Sequence, residues 1–313
     1  MNEPRRSGTG ESHTTALGGV IARIPALAGT HVATEAIGGG ITNVNYRVEV
    51  DGVSFFVRVP GEESRLLGID RRREYECTAA AAQSGVGPEV VDFLEAEGVL
   101  VTRFIAGHGM SLEEIRRPES IRRVAATLRR LHGGPPFPGT FSPMGAVADY
   151  LRISRQAAPL PAAIDSMVDQ ARAIDRALGA APPVLRPCHN DLLLANFIDD
   201  GRQIWVVDWE YAAMGDPFFD LGNFAVHQGL SDEQEQAFLT AYLGGPTDSD
   251  LARLKLMKIL SDLREAMWAM VQVSVSALDY DFVGYGQKHF DRYLRQLQDA
   301  RVPRWLTDAA RGT

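Results

Sequence analysis

The sequence predicts an α+β protein of two lobes, a small antiparallel sheet with one helix followed by a larger, mainly helical part. Three observations carry this. Between residues 31 and 106 the apolar residues alternate, or come as β-branched runs cut by Gly and Asp-Gly. After Gly107 the apolar spacing becomes helical and stays so, apart from one short buried-strand pattern, QIWVVDWE. At 313 residues the chain is long enough for both lobes and a sizeable core.

The elements follow in order. The opening MNEPRRSGTGESHTT lacks the apolar core of a signal peptide and reads as a disordered polar tail, residues 1–15. HVATEAI, TNVNYRVEV and VSFFVRV are strands, the last two joined through Asp51-Gly52, a strong hairpin signal. RRREYECTAAAAQSG is a helix stopped at Gly85, and EVVDFL and VLVTRFI are two more strands, ending at Ala106-Gly107. The first lobe with its connector is thus expected over 16–106 and the second over 107–313. In the second, PESIRRVAATLRRLHGG has Pro at its start, apolar Ile121, Val124, Leu128 and Leu131, and Gly at its end. Further helices are expected over 160–179, 217–228, 231–243, 249–278 and 285–299.

Charge narrows the partners. The formal net charge is −8, and all of it lies from His189 onward, where 11 Lys and Arg face 19 Asp and Glu. Such a field favours cations and disfavours nucleic acid, although an acidic solvated surface would look the same on charge alone. No apolar run is long enough to span a bilayer, so membrane insertion is not expected. Two cysteines, Cys77 and Cys188, without metal-ligand spacing fit a reducing, cytoplasmic setting. The first 254 residues contain no lysine, so any cation needed there is Arg or His.

The stretch HNDLLLANF, residues 189–197, sets three polar side chains among leucines, a costly arrangement unless each finds a partner. His189, Asp191, Leu192 and Asn196 fit H-x-D-L-x-x-x-N, the catalytic-loop pattern of kinase-type phosphotransferases. Asp191 can orient and deprotonate a hydroxyl. Asn196, with Asp208 at the end of the following strand, offers hard oxygens to Mg2+ beside ATP phosphates. A polar turn braced by His189 and Asn196 is the plain alternative. Upstream, IGGGITNVNYRV places Gly38, Gly39, Gly40, Thr42 and Asn43 between two strands, where backbone N–H groups can approach phosphates. Alone, this is equally a hairpin loop. Arg58 sits on the apolar strand FFVRVPG with a guanidinium suited to phosphate oxygens, and Glu74 on the next helix is placed to hold it. The arginine runs at 71–73, 116–117, 122–123 and 129–130 read as solvated helix faces.

In this order the pieces GGGITNVNYRV, FFVRVPG, SGVGPEVV, HNDLLLANF and VVDWEYAAMGDPFFDLGNFA resemble the choline/ethanolamine kinase family, within the wider group that includes aminoglycoside phosphotransferases. The resemblance runs from about Ala33 to Arg295. It implies a bilobal protein-kinase-like fold, with ATP-adenine against a connector formed by Val101, Thr102, Arg103 and Phe104, and with Asp220 bracing the catalytic loop. Eukaryotic members carry a Glu where this chain has His227, a departure that bears on amine recognition.

A quaternary ammonium has no N–H to donate, so its recognition needs aromatic faces and nearby carboxylates. Trp209 and Glu210 in DWEY are candidates. So are Glu265 and Trp268, which share a helix face with Gln272, and Asp281 and Tyr285 beyond them. Trp268 and Tyr285 are equally readable as core aromatics. The expected function is therefore an ATP- and Mg2+-dependent kinase for a small cationic alcohol, choline in the first place and ethanolamine in the second. An aminoglycoside or thiamine kinase is the nearest rival, and a catalytically silent nucleotide-binding module the rival from another class.

Overall fold

The computed structural model describes residues 18–19, 21–38, 43–60, 69–156, 158–276 and 278–311. Its first lobe is an antiparallel sheet in the order β1-β2-β3-β5-β4, built from β1 (Val32–Ile37), β2 (Asn43–Val50), β3 (Val53–Pro60), β4 (Val90–Leu94) and β5 (Val99–Arg103). Asp51 and Gly52 have φ of 49° and 84°, the two left-handed residues that let a tight turn follow strand twist. They hold β2 and β3 in register from Val50↔Val53 to Asn43↔Pro60. Tyr46, Val48, Val50, Phe55, Val57, Val99 and Val101 close a small core with Ile24 and Leu27.

Helix α1 (Arg71–Gln83) starts where Asp70 accepts the N–H groups of Arg72 and Arg73 at 3.0 and 3.1 Å. Cys77, Ala80 and Ala81 of this helix pack into the core of the helical lobe rather than under the sheet. The two lobes are therefore joined by shared apolar packing as well as by the chain.

The second lobe comprises β6 (His108–Gly109), α2 (Leu112–Ile115), α3 (Pro118–His132), α4 (Pro143–Ser154), α5 (Ile164–Gly179), β7 (Arg186–Cys188), β8 (Phe197–Asp199), β9 (Ile204–Val206), β10 (Ala213–Gly215), α6 (Pro217–Gln228), α7 (Asp232–Leu243), α8 (Asp248–Val275), α9 (Phe282–Leu297) and α10 (Val302–Ala310). Helix α8 is its axis, buried on nearly every side from Ser249 to Gln272 because α4, α6, α9 and α10 pack around it. Two small antiparallel sheets, β6-β8-β9 and β7-β10, brace the polar loop between β7 and β8.

Several expectations need correction. Helices α4 and α10 were not anticipated, although Ser142 caps the first at the Gly145 N–H and Pro143 opens it. Val101, Thr102 and Arg103 belong to β5, paired with β3 and β4, so the free connector is the segment from Phe104 to Gly107. Strand β9 stops at Val206, and Asp208 stands two residues past it with φ of 71°. The polar tail, Gly39, Gly40 and Thr42 lie outside the described residues. No described helix is long and apolar enough to cross a membrane.

Candidate active site

The loop 189–196 is held almost entirely by its backbone. Asp220, fully buried on α6, accepts the N–H groups of His189 and Asn190 at 2.8 and 2.7 Å, and contacts His132 Nε2 at 3.0 Å. Asn223, one turn on, accepts the Leu192 N–H at 2.6 Å. His189 donates from Nε2 to the Val207 carbonyl at 3.0 Å, so its Nδ1 is left to accept the Asp191 N–H at 3.2 Å. Burial lowers the His189 pKa, which keeps the ring neutral in this role. Asn190 takes φ of 65°, a conformation maintained by its side-chain bond to the Tyr211 carbonyl at 3.0 Å. These contacts fix Asp191 against Arg264 of α8, with Glu265 and Asp208 as its charged neighbours.

Asp191 accepts from Arg264 Nη1 at 3.0 Å through Oδ1, and its Oδ2 takes no hydrogen bond among the described residues. Burial raises its pKa against the opposing pull of Arg264, and the Glu265 and Asp208 carboxylates add to the rise. Asn196 turns its Nδ2 inward to the Asp191 carbonyl at 2.8 Å, which leaves its amide oxygen for another partner. Val207 N–H bonds the Asn196 carbonyl at 3.0 Å and so brings Asp208 alongside. Asp208 Oδ1 is buried 3.0 Å from Arg58 Nη1 yet takes no hydrogen bond among the described residues. One amide oxygen and one carboxylate left in this state suit Mg2+, which prefers a few hard oxygens and completes its shell with water and phosphate.

On the sheet side, Arg58 is an inward residue of β3 and pairs with Glu74 on α1. Glu74 also accepts from Arg71 at 2.6 Å, and Arg71 reaches Asn43 Oδ1 at 2.6 Å and Glu210 at 3.3 Å. Asn43 Nδ2 donates to Glu210 at 3.2 Å. Burial, then Asp208, raises the Glu210 pKa, opposed by Arg58 and Arg71. Glu210 is thus a member of the Arg58 network, not of the acceptor side where the sequence placed it. Nor is Arg71 solvated, because three elements converge on it. Arg123 also departs from a solvated face, pairing in a fork with Asp199 at 2.5 and 2.7 Å, and Arg116 donates to the Gln228 carbonyl. Thr102 is buried within β5, while Phe104 leaves the sheet under the Arg47 guanidinium, 4.9 Å from its ring centre.

On the opposite side, α8 supplies Arg264, Glu265 and Trp268. Glu265 accepts from Arg264 at 2.9 Å and from the Tyr285 hydroxyl at 2.7 Å. Burial pushes Glu265 up, but the Arg264 guanidinium, with the Tyr285 hydrogen bond, outweighs it and holds its pKa low. Trp268 donates to the Tyr211 hydroxyl at 2.9 Å and stands edge-on to Phe282 and Tyr285, both 6.1 Å between centroids. His227 is half-buried, and burial lowers its pKa to about 4 against the opposing Glu265 carboxylate, so it is neutral. Two acceptor candidates are not part of this wall. Trp209 is core, edge-on to His189 at 4.7 Å and to Phe137 at 6.0 Å. Asp281 is the N-cap of α9, accepting the Gly284 N–H at 2.8 Å. Arg264 was missed, because an Arg inside a helix carries no signal that it faces inward.

With this geometry in hand, comparison with known proteins becomes specific. Residues 33–256 match the model of the phosphotransferase enzyme family. A solved choline/ethanolamine kinase family protein from Mesorhizobium loti is 34% identical, with a TM-score of 0.85 over 96% of this chain and 99% of that one. Protein LicA from Haemophilus influenzae is 26% identical over 272 residues, 83% of this chain and 79% of its own. The probable ethanolamine kinase A of Dictyostelium discoideum is 26% identical over 83% of this chain and 84% of its own.

Proposed function

Because the chain belongs to the choline/ethanolamine kinase family, within the phosphotransferase enzyme family, we propose that it transfers the γ-phosphoryl group of ATP to the hydroxyl of a small cationic alcohol, choline or ethanolamine. That it is a kinase acting on an alcohol follows from the family; donor, metal and acceptor are our reading of the site. The observation that carries it is Asp191, with one carboxylate oxygen on Arg264 and the other without a hydrogen bond among the described residues.

In this reading Asp191 Oδ2 accepts the acceptor's hydroxyl proton as the oxygen attacks phosphorus, and its raised pKa suits a base working near neutral pH. Asn196 and Asp208 would hold Mg2+, which when bound neutralises charge on the transferring phosphates. Arg58, fixed by Glu74, steadies the nucleotide phosphates from the sheet side, with Gly39, Gly40, Thr42 and Asn43 assigned to them from the sequence. Adenine lies against the segment from Phe104. Trp268 and Tyr285 present aromatic faces, and Glu265 negative charge, to the acceptor's cation. Catalysis then rests on positioning and charge neutralisation. The free, buried Cys77 and Cys188 suit a cytoplasmic protein.

The test is ADP release from Mg-ATP with choline, ethanolamine, thiamine and kanamycin offered separately. Turnover with choline or ethanolamine is expected, lowered about 10²–10⁴-fold by Asp191→Asn. Nucleotide binding without turnover on any of them would instead support a silent nucleotide-binding module.

A further inference from the structure

Arg264 is a buried cation that the predicted chemistry does not use. Its side chain is only 1% exposed. The guanidinium lies over the Tyr211 ring, 4.6 Å from its centre, with Asp191 at 3.0 Å and Glu265 at 2.9 Å. Nε and Nη2 make no hydrogen bond among the described residues. An aromatic face flanked by two carboxylates is the chemistry that receives a cation, and here the chain fills that seat itself. An amino alcohol carries its charge two carbons from its hydroxyl. With that hydroxyl on Asp191, two carbons are enough for its cation to reach the space the guanidinium holds beside the same carboxylate.

We propose that Arg264 is a specificity-determining residue: it occupies the cation seat beside Asp191 and reduces the advantage that a cationic acceptor has over a neutral one of equal shape. The inference rests on reading Asp191 as the group that meets the acceptor hydroxyl. It makes Arg264 a gate on acceptor charge, so that a cationic alcohol binds only by displacing the guanidinium or by lodging farther out, against Trp268 and Tyr285. Glu265 is consistent with this, since both of its oxygens are already engaged, one by Arg264 and one by Tyr285.

Binding of choline and of its neutral carbon isostere, 3,3-dimethylbutan-1-ol, measured calorimetrically on the full chain, tests this without any turnover. In Arg264→Ala and Arg264→Gln the ratio of choline to isostere affinity rises at least about tenfold over wild type, the size of one well-placed cation–π contact. Arg264→Lys, which keeps the charge, retains the wild-type ratio. An unchanged or lower ratio in whichever neutral variant folds overturns the proposal, as does failure of both compounds to bind any form. If wild type turns over none of the alcohols while the ratio still shifts, the kinase reading fails and the gate stands.

Discussion

Two buried arginines flank the loop 189–196, and each is shared by two carboxylates. Arg58 lies between Glu74 and Asp208, and Arg264 between Asp191 and Glu265. The difference is where the second carboxylate comes from. Glu74 sits on α1 and Arg58 on β3, so their contact joins two elements. Glu265 is the next residue after Arg264 on the same helix, so that contact strains nothing between elements. The sheet side is therefore a joint, whose parts must come together, and the α8 side is a wall already fixed by the helix.

This comparison predicts unequal costs. Glu74→Ala leaves both Arg58 and Arg71 without their shared carboxylate and should cost about 3–5 kcal/mol of stability, as breaking a buried ion pair does. Glu265→Ala leaves Arg264 on Asp191 and should cost less, about 2 kcal/mol, the worth of hydrogen bonds to a charged group. Urea unfolding of the two variants measures both. A larger loss for Glu265→Ala would mean that the wall, not the joint, carries the stability.

A smaller effect, read by pH, is shared by both sides. Burial raises the folded-state pKa of Asp191 above its unfolded value of about 3.9. The folded state then binds more protons, so stability falls as pH climbs from the unfolded pKa through the folded one. Asp191→Asn removes that fall. Denaturant unfolding at pH 5 and pH 8 should show wild type losing stability between them and the variant losing less, even as the variant loses turnover. Glu210→Gln should act in the same direction on the sheet side, where burial also raises the pKa. A pH dependence of stability that is the same in wild type and Asp191→Asn would show Asp191 to be no burden on the fold.

The sheet side was far more legible in the sequence than the wall. Strand alternation and Asp51-Gly52 expose register directly, because side-chain direction in a strand follows from position. A charge on such a strand, Arg58, is conspicuous, and HNDLLLANF stands out because polar residues among leucines demand partners. Helix α8 gives no such contrast. It is buried on nearly all sides, so it has no polar face against which an inward Arg264 would look misplaced. Arg71 was hidden for another reason. Glu74 is one turn along its own helix, but Asn43 and Glu210 come from separate stretches of chain, and only tertiary contact brings them in. Residue type also misled at Trp209 and Asp281, where an aromatic and an acid suited a cation pocket but serve core packing and helix capping.

The smallest predicted effect marks the edge of the wall. Asp281 is exposed and caps α9, so Asp281→Ala should cost about 1 kcal/mol, the usual worth of an N-cap, and leave the KM for the acceptor unchanged. Tyr285 is on the same helix, one turn further on, and donates to Glu265 at 2.7 Å. Tyr285→Phe should leave the cap intact and raise the acceptor KM, because Glu265 then loses the contact that holds it across the aromatic faces. The pair of variants places the boundary between fold and site within one helical turn. A KM that responds to Asp281→Ala and not to Tyr285→Phe would move the acceptor outward, from the α8 wall to the entry of α9.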